Sequence, residues 1–399
     1  MSVAAAAAEA PRTRIRFDRW EVGAAFADIG VLVPIAVALI VTNGLSPTAV
    51  LLPAGLLYLT AAAVYRLPVP VQPLKAFGAI AIAQGFGVDE IAAGALLMGA
   101  IFITLGATGL LDLLARAFPR PLVRGVQLAV GLIFLKIAWT LVTSPPRAFS
   151  ESSWSPWLLG PLAAAVLASL LLRRRVPVAL PLLGLGVVVV AFTAAGDIGL
   201  GPSNLDLGLP ATAAFSAALT ALVFPQLPLS FANSCLATAD AARTYFGERA
   251  QRVRPGRLAT TFGGANILAG ALGGMPVCHG AGGLTAHYSF GARTAGAPIA
   301  IGTTLVVLGL GLGAGLASLL AAFPLPILAG LLAGAGILHI GLLRDVRTPA
   351  HLALAIGIGV LGFATNLGLA LALGLAIWWG TFEIARRRSA RLAPASEAT

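Results

Sequence analysis

Charge is what this chain has least of. Only 10% of its 399 residues are Asp, Glu, Lys or Arg, against about a quarter in a soluble domain. A surface that poor in charge would not stay dispersed in water, so the solvent of this chain is lipid. Acid is scarcer than base: 15 Asp and Glu stand against 26 Lys and Arg, giving a net charge of +11. That balance would suit nucleic acid, but the arginines lie in short runs between apolar segments, with no basic domain of interleaved aromatics. Cysteine is limited to Cys235 and Cys278, both in apolar surroundings, which excludes a disulfide framework and zinc-ligand spacing. No G-x-S-x-G nucleophile elbow accompanies "HGAGG", which argues against an esterase. Cys278 beside His279 has no second cluster to complete a metal site. Neither an enzyme, a metal nor a cofactor is expected.

What is present is apolar: 58% of the residues are hydrophobic and the mean hydropathy is +0.93. One bilayer crossing takes about 20 apolar residues, so the chain can supply many. Apolar runs fall at about 20–42, 47–65, 73–85, 89–110, 121–143, 156–172, 177–195, 210–238, 256–272, 280–290, 296–320, 325–341, 350–364 and 366–384, fourteen in all. Those at 73–85 and 280–290 are too short to cross alone at about 1.5 Å per residue. Arg12, Arg14, Arg16 and Arg19 precede a first run too long for a signal peptide and without a cleavage site. It reads as a transmembrane helix with a cytoplasmic basic flank. The expected fold is an all-α polytopic membrane protein.

The positive-inside rule tests the topology. With the N-terminus in the cytoplasm and all fourteen runs counted, the inside segments hold 23 of the 26 basic residues, from Arg12 through Arg66, Arg116, Arg173, Arg174, Arg175, Arg249 and Arg347 to Arg391. Outside loops hold only Arg147, while Lys75 and Lys136 lie within segments. One miscounted crossing would invert every later loop and spoil the pattern. Both termini, 1–19 and 386–399, are thus expected on the cytoplasmic side of a cell membrane.

Internal symmetry is legible in the prolines. Pro34 is followed 36 residues later by Pro70, and Pro228 is followed 48 residues later by Pro276. The excess is about the length of the polar loop 247–257, which the first half lacks. The halves 20–195 and 196–385 align as repeats of seven segments each. An odd number of crossings places the second repeat upside down. Short, Pro/Gly-interrupted segments at matching positions then point to a transporter's binding site.

Each half carries an extended stretch ahead of its short run: "LPVPV" before Gln72 and Pro73, and "GMPVC" before His279 and Gly280. Extended backbone cannot face lipid with its polar groups unpaired, so both stretches are expected buried near the midplane. The short helices then start there and aim their N-termini at one spot. A helix N-terminus carries unpaired N–H donors and about half a positive charge, so two of them make an anion site. The run Gly280, Ala281, Gly282 and Gly283 lets backbone donors approach closely. Gln72 and His279 can donate hydrogen bonds. Lys75, on the same face as Gln72, would add a full charge if it does not snorkel or pair with an acid.

Other polar groups at bilayer depth are functional candidates by default. Asp28 can carry a coupling proton or neutralise Lys75. Gln226 and Asn233, seven residues apart, share a helix face; their amides suit an oxyanion and equally suit interhelical bonding. Lys136 sits near a helix end, where snorkelling accounts for it, and His287 is assigned no role.

At these residues the sequence resembles a known family. "FADIGVLVPIAVAL", "PVPVQPLKAFGAIA", "FPQLPLSFANS" and "GGMPVCHGAGGLTAHYSFGAR" are similar to signature segments of the molybdate transporter family of plants, algae and bacteria, a branch of the SulP anion permeases. The likeness spans about residues 20–300. It implies a seven-plus-seven inverted repeat with a core and a gate domain, the oxyanion lying between the half-helices. It places Asp28, Gln72, Pro73 and Lys75 at or near the site from one block, and Gln226, Asn233, Cys278, His279, Gly280, Ala281 and Gly282 from the other. SulP permeases usually end in a soluble STAS domain; about 15 residues follow the last run here, which suits the molybdate branch. A homodimer is among the assemblies the resemblance allows.

The expected function is uptake of a tetrahedral oxyanion, molybdate foremost, by alternating access with a coupling proton. A dianion without donors matches a site made of donors; phosphate, partly protonated, would want an acceptor as well. Sulfate and tungstate share molybdate's shape. A passive anion channel on the same fold is the alternative from a different class, and a nucleobase or carboxylate carrier is a third.

Overall fold

A computed structural model of the chain describes residues 14–26, 29–111, 118–149, 155–172, 179–193 and 199–392. Asp28 lies outside the described residues, as do Arg12, Arg116, Arg173, Arg174 and Arg175 among the counted arginines. The described part is helical. In chain order it comprises α1 (Arg19–Ala25), α2 (Ile29–Val41), α3 (Pro47–Tyr65), β1 (Gln72–Pro73), α4 (Lys75–Gln84), α5 (Val88–Thr108), α6 (Arg120–Thr143), α7 (Pro156–Leu172) and α8 (Ala179–Thr193). There follow α9 (Thr212–Arg252), α10 (Pro255–Ala271), β2 (Val277–Cys278), α11 (Ala281–Ser289), α12 (Gly296–Gly311), α13 (Gly313–Ala321), α14 (Leu325–Gly341), α15 (Pro349–Ala364) and α16 (Leu367–Leu392).

Among the described residues, six helices have the length and apolarity to cross a bilayer alone: Arg19–Val41, Pro47–Tyr65, Val88–Thr108, Arg120–Thr143, Thr212–Arg252 and Leu325–Asp345. Shorter apolar helices lie at Pro156–Leu172, Pro181–Phe192, Pro349–Ala364 and Leu367–Thr381. The run expected as one segment over 296–320 is two helices, α12 and α13, meeting at 97°. Their junction is held by a distant backbone. Gly201 donates to the Gly311 carbonyl at 2.8 Å and accepts from Ala314 N–H at 2.9 Å, so the groups freed by the break are paired.

The long helix α9 is irregular for a local reason. Pro225 and Pro228 withhold N–H groups from the helical ladder, and π turns flank them at Leu219–Val223 and Ser230–Ala237. A π turn changes the angular spacing of side chains, so the 3.6-residue count from Gln226 to Asn233 does not carry through.

The stretch 67–73 shows how extended backbone survives at depth. Its three prolines, Pro68, Pro70 and Pro73, bring no N–H to satisfy. Three of its carbonyls are given a side-chain donor: His287 Nδ1 reaches Pro68 O at 3.0 Å, His279 Nδ1 reaches Pro70 O at 2.9 Å, and the Tyr58 hydroxyl donates to Val71 O at 3.0 Å. The stretch then pairs antiparallel with β2, in the register Gln72 with Cys278 and Pro73 with Val277. Leu74 N–H closes the pairing on Pro276 O at 3.2 Å. On the other strand, Val277 N–H donates to the buried Asn266 side chain at 2.7 Å.

The helices pack in two groups. In one, α5 lies along α10 and α3 along α12, with the half-helices α4 and α11 and the long α9 beside them. In the other, α6 packs on α14 and α15, α14 on α7, and α15 on α16. Close approach depends on missing side chains: a Cβ on Gly131 of α6 would fall 2.7 Å from the Gly336 carbonyl of α14. The groups meet where α6 touches α4 and α9, and where α14 touches α2.

Candidate functional site

The β1–β2 pair sets two helix starts side by side. Helix α4 begins at Lys75, with one residue between it and β1, and α11 begins at Ala281, with two residues between it and β2. The N-cap residues, Leu74 and Gly280, supply no side chain to close either end. One of the orphan donors is filled from elsewhere: Gln226 Oε1 accepts Phe77 N–H at 3.1 Å, while Gln226 Nε2 donates to Ser230 Oγ at 2.9 Å. Gln226 is thus committed to capping α4 and to its own helix.

Between the two starts lies a polar cluster. Lys75 Nζ donates to Gln72 Oε1 at 2.6 Å, and among the described residues it meets no carboxylate. Gln72 itself is buried, whereas Lys75 and Asn233 are half-buried. Gly280 has its Cα against the end of the Gln72 side chain; a Cβ there would overlap Gln72 Oε1 and lie 3.4 Å from Asn233 Nδ2. This one position therefore locates Gln72, Lys75, Gly280 and Asn233 together. Gly282 is exposed in the first turn of α11, and a Cβ on it would meet nothing within 4 Å. Open space thus lies beside the first turn of α11, and among the described residues the Lys75 ammonium is met by an amide oxygen and no carboxylate. In a low-dielectric setting such a cluster attracts an anion that brings its own acceptors.

Other expected residues are placed differently. His279 is fully buried, and both ring nitrogens are used: Nδ1 on Pro70 O, and Nε2 on Thr261 Oγ1 at 3.0 Å. A carbonyl only accepts, so Nδ1 carries the hydrogen and Nε2 takes the Thr261 hydroxyl. That chain continues to the Tyr65 hydroxyl, 2.6 Å from Thr261 Oγ1. His279 has no donor left for a ligand; its expected hydrogen bond goes to the backbone. Cys278 is buried with Sγ 4.0 Å from Pro73 O, and Pro73 is enclosed in the strand pair. Both shape the floor through backbone. Ala281 is half-buried at the first helical position.

Sequence reasoning missed Asn266, Tyr58 and Thr261, which hold the strands. Among the described residues the Nδ2 of Asn266 is buried without a partner. Each missed residue is a lone polar group in an apolar run, and that is the only signal it gave.

A family model described as "Molybdate transporter of MFS superfamily" matches residues 20–134 and 218–338. Molybdate transporter 1 of Arabidopsis thaliana is 32% identical, with 82% of this chain and 80% of that protein covered. The chain belongs to the molybdate transporter family. A second relative in that family, molybdate transporter 1 of Chlamydomonas reinhardtii, is 28% identical over 89% of this chain and 90% of its own length. The fold is similar to the transmembrane domain of the cyanobacterial bicarbonate transporter BicA, with a TM-score of 0.67 at 18% identity, covering 90% of this chain and 98% of that one. It is also similar to the murine anion transporter Slc26a9 in its inward-facing state, with a TM-score of 0.66 at 13% identity over 94% and 70% of the two chains. This family member thus has the helical fold of SulP-type anion transporters. The two matched blocks contain both half-helices and every residue of the polar cluster.

Proposed function

We propose that this protein imports a tetrahedral oxyanion, most specifically molybdate, across the cell membrane by alternating access. The observation that carries the reading is the strand pair that brings Lys75, Gln72, Asn233 and Gly280 to the open first turn of α11. Lys75 supplies the charge, Gln72 and Asn233 supply amide donors, and the Gly282 turn supplies backbone N–H groups. Every one of these donates, which suits a dianion with no hydrogens of its own.

The proposed architecture is a tail at 1–19, an inverted repeat over 20–195, its partner over 196–385, and a second cytoplasmic tail at 386–399. The packing pairs support it. The contact of α5 with α10 is mirrored by that of α12 with α3, and the contact of α6 with α15 by that of α14 with α7. Swapping the halves exchanges the members of each pair. The group around α4 and α11 would carry the site, and the group around α6 and α14 would gate it.

Import of a dianion into a negative cell works against about 2.3 kcal/mol for each of its two charges per 100 mV. Co-transported protons would offset that charge. The test is uptake of molybdate into proteoliposomes, with tungstate and sulfate as competitors and with and without an inward proton gradient. Molybdate and tungstate should compete, and a protonophore should abolish accumulation. Equal uptake of sulfate would remove the molybdate assignment, and equilibration without accumulation would make the protein a channel. Lys75→Ala should weaken apparent affinity roughly tenfold to a hundredfold, the loss of one charged hydrogen bond worth about 1.5–3 kcal/mol.

A further inference from the structure

The group of α6, α14 and α15 carries a cavity that the polar cluster at α4 and α11 does not use. It holds about 410 Å³ where the start of α6 meets the link from α14 to α15, and its polar lining is Arg120, Asp345, Arg347, Thr348 and His351. The charge of that lining is positive and unbalanced. Both oxygens of Asp345 are taken by the Arg124 guanidinium, the Nε contact being 2.8 Å. Arg120 and Arg347 are exposed, and neither has an ion pair among the described residues. Thr348 is the N-cap of α15, yet its hydroxyl makes no capping bond. The first turns of α6 and α15 both border the cavity without a side-chain cap, and their free N–H groups add partial positive charge. Two guanidinium groups and a hydroxyl are donors that suit a phosphate.

Arginines on a cytoplasmic face satisfy the positive-inside rule without any ligand. Here the surroundings add a bilayer depth and an apolar continuation. His351 packs on Trp378 of α16, with ring centroids 5.0 Å apart and planes at 51°, and the neighbouring Trp379 is exposed. Tryptophan gathers at the headgroup level of a membrane. Away from that level the outer faces of α15 and α16 are apolar and uncovered. Ile356, Val360 and Phe363 are exposed on one, and Leu369, Leu373 and Ile377 on the other.

We infer that this cavity binds the phosphate of an anionic phospholipid whose acyl chains lie along the exposed faces of α15 and α16. Arg120 and Arg347 hold the phosphate from two different elements, and Thr348 and His351 add neutral donors. A choline headgroup would bring its own cation to a cavity that already has two, so a zwitterionic lipid is disfavoured. Bound there, the lipid bridges the start of α6 to the α14–α15 link. This inference does not depend on which ion the protein transports.

The test is native mass spectrometry of the purified full-length protein in neutral detergent. Phosphatidylglycerol and phosphatidylcholine with matched chains are added in equal amounts. The wild type should retain phosphatidylglycerol in preference to phosphatidylcholine by roughly thirtyfold, the effect of two arginines near one headgroup charge. The double variant Arg120→Gln, Arg347→Gln should lose that preference. The single variants, each losing about fivefold, serve if the double variant does not purify as a single species. Arg344→Gln removes an exposed arginine that does not line the cavity, and it should keep the preference. Equal retention of both lipids by the wild type would overturn the inference. So would an Arg344→Gln protein that loses as much as the double variant, since the attraction would then be a diffuse basic surface. Displacement of phosphatidylglycerol by an equal concentration of inorganic phosphate would assign the cavity to a soluble phosphate and overturn the lipid.

Discussion

His279 illustrates how a polar side chain in a membrane protein is claimed first by backbone. The Pro70 carbonyl is buried just ahead of the two-residue strand pair, and the imidazole is its partner. Removing the ring strands that carbonyl, at about 1–3 kcal/mol, and leaves a cavity as well. His279→Ala should therefore lower stability by about 2–4 kcal/mol, read as a lower thermal midpoint in detergent. His279→Gln, where it folds, should leave the pH dependence of transport as in the wild type. A shifted pH profile with unchanged stability would make His279 a proton carrier after all. The sequence marked His279 as notable but could not assign its partner, because Pro70 lies 209 residues away along the chain. The same holds for Gln226, whose cap on Phe77 N–H spans 149 residues.

At the scale of elements, the half-helices are what the sequence made most legible. Runs of 73–85 and 280–290 are too short to cross, and the prolines ahead of them forbid helix; the structure starts α4 at Lys75 and α11 at Ala281. The extended pair was legible for the same reason. What stayed hidden were features set by distant backbone: the 97° bend between α12 and α13, which Gly201 stabilises, and the π turns of α9. The close seating of α11 against β1 yields a prediction. In Gly280→Ala the new methyl overlaps the end of the Gln72 side chain, not backbone, so the amide can rotate away. Stability should change by less than about 1 kcal/mol, while the Gln72–Lys75 contact is broken. Apparent molybdate affinity should drop at least several-fold in the uptake assay. Unchanged affinity would mean that Gln72 does not orient Lys75 for the anion.

At the scale of the whole molecule, alternating access requires that one site open to each face in turn while the two packing groups shift against each other. Within a group the helices approach through glycines with backbone against backbone, as Gly131 and Gly336 do, an arrangement that resists sliding. Motion is therefore expected between the groups, where α6 meets α4 and α9. Gly282 is a natural reporter of that motion. It sits in the first turn of α11, with open space where a side chain would go and with no positive φ to strain a larger residue. Both native cysteines are buried, so Gly282→Cys would present the reactive thiol. In oriented vesicles a charged, impermeant thiol reagent should label it rapidly from one face, and molybdate should slow that labelling roughly tenfold when present at about ten times its dissociation constant. A shift of the proton gradient should transfer accessibility toward the opposite face. Labelling that ignores molybdate would remove the anion from the α11 start. Equal labelling from both faces at once would replace the two-state carrier with an open pore.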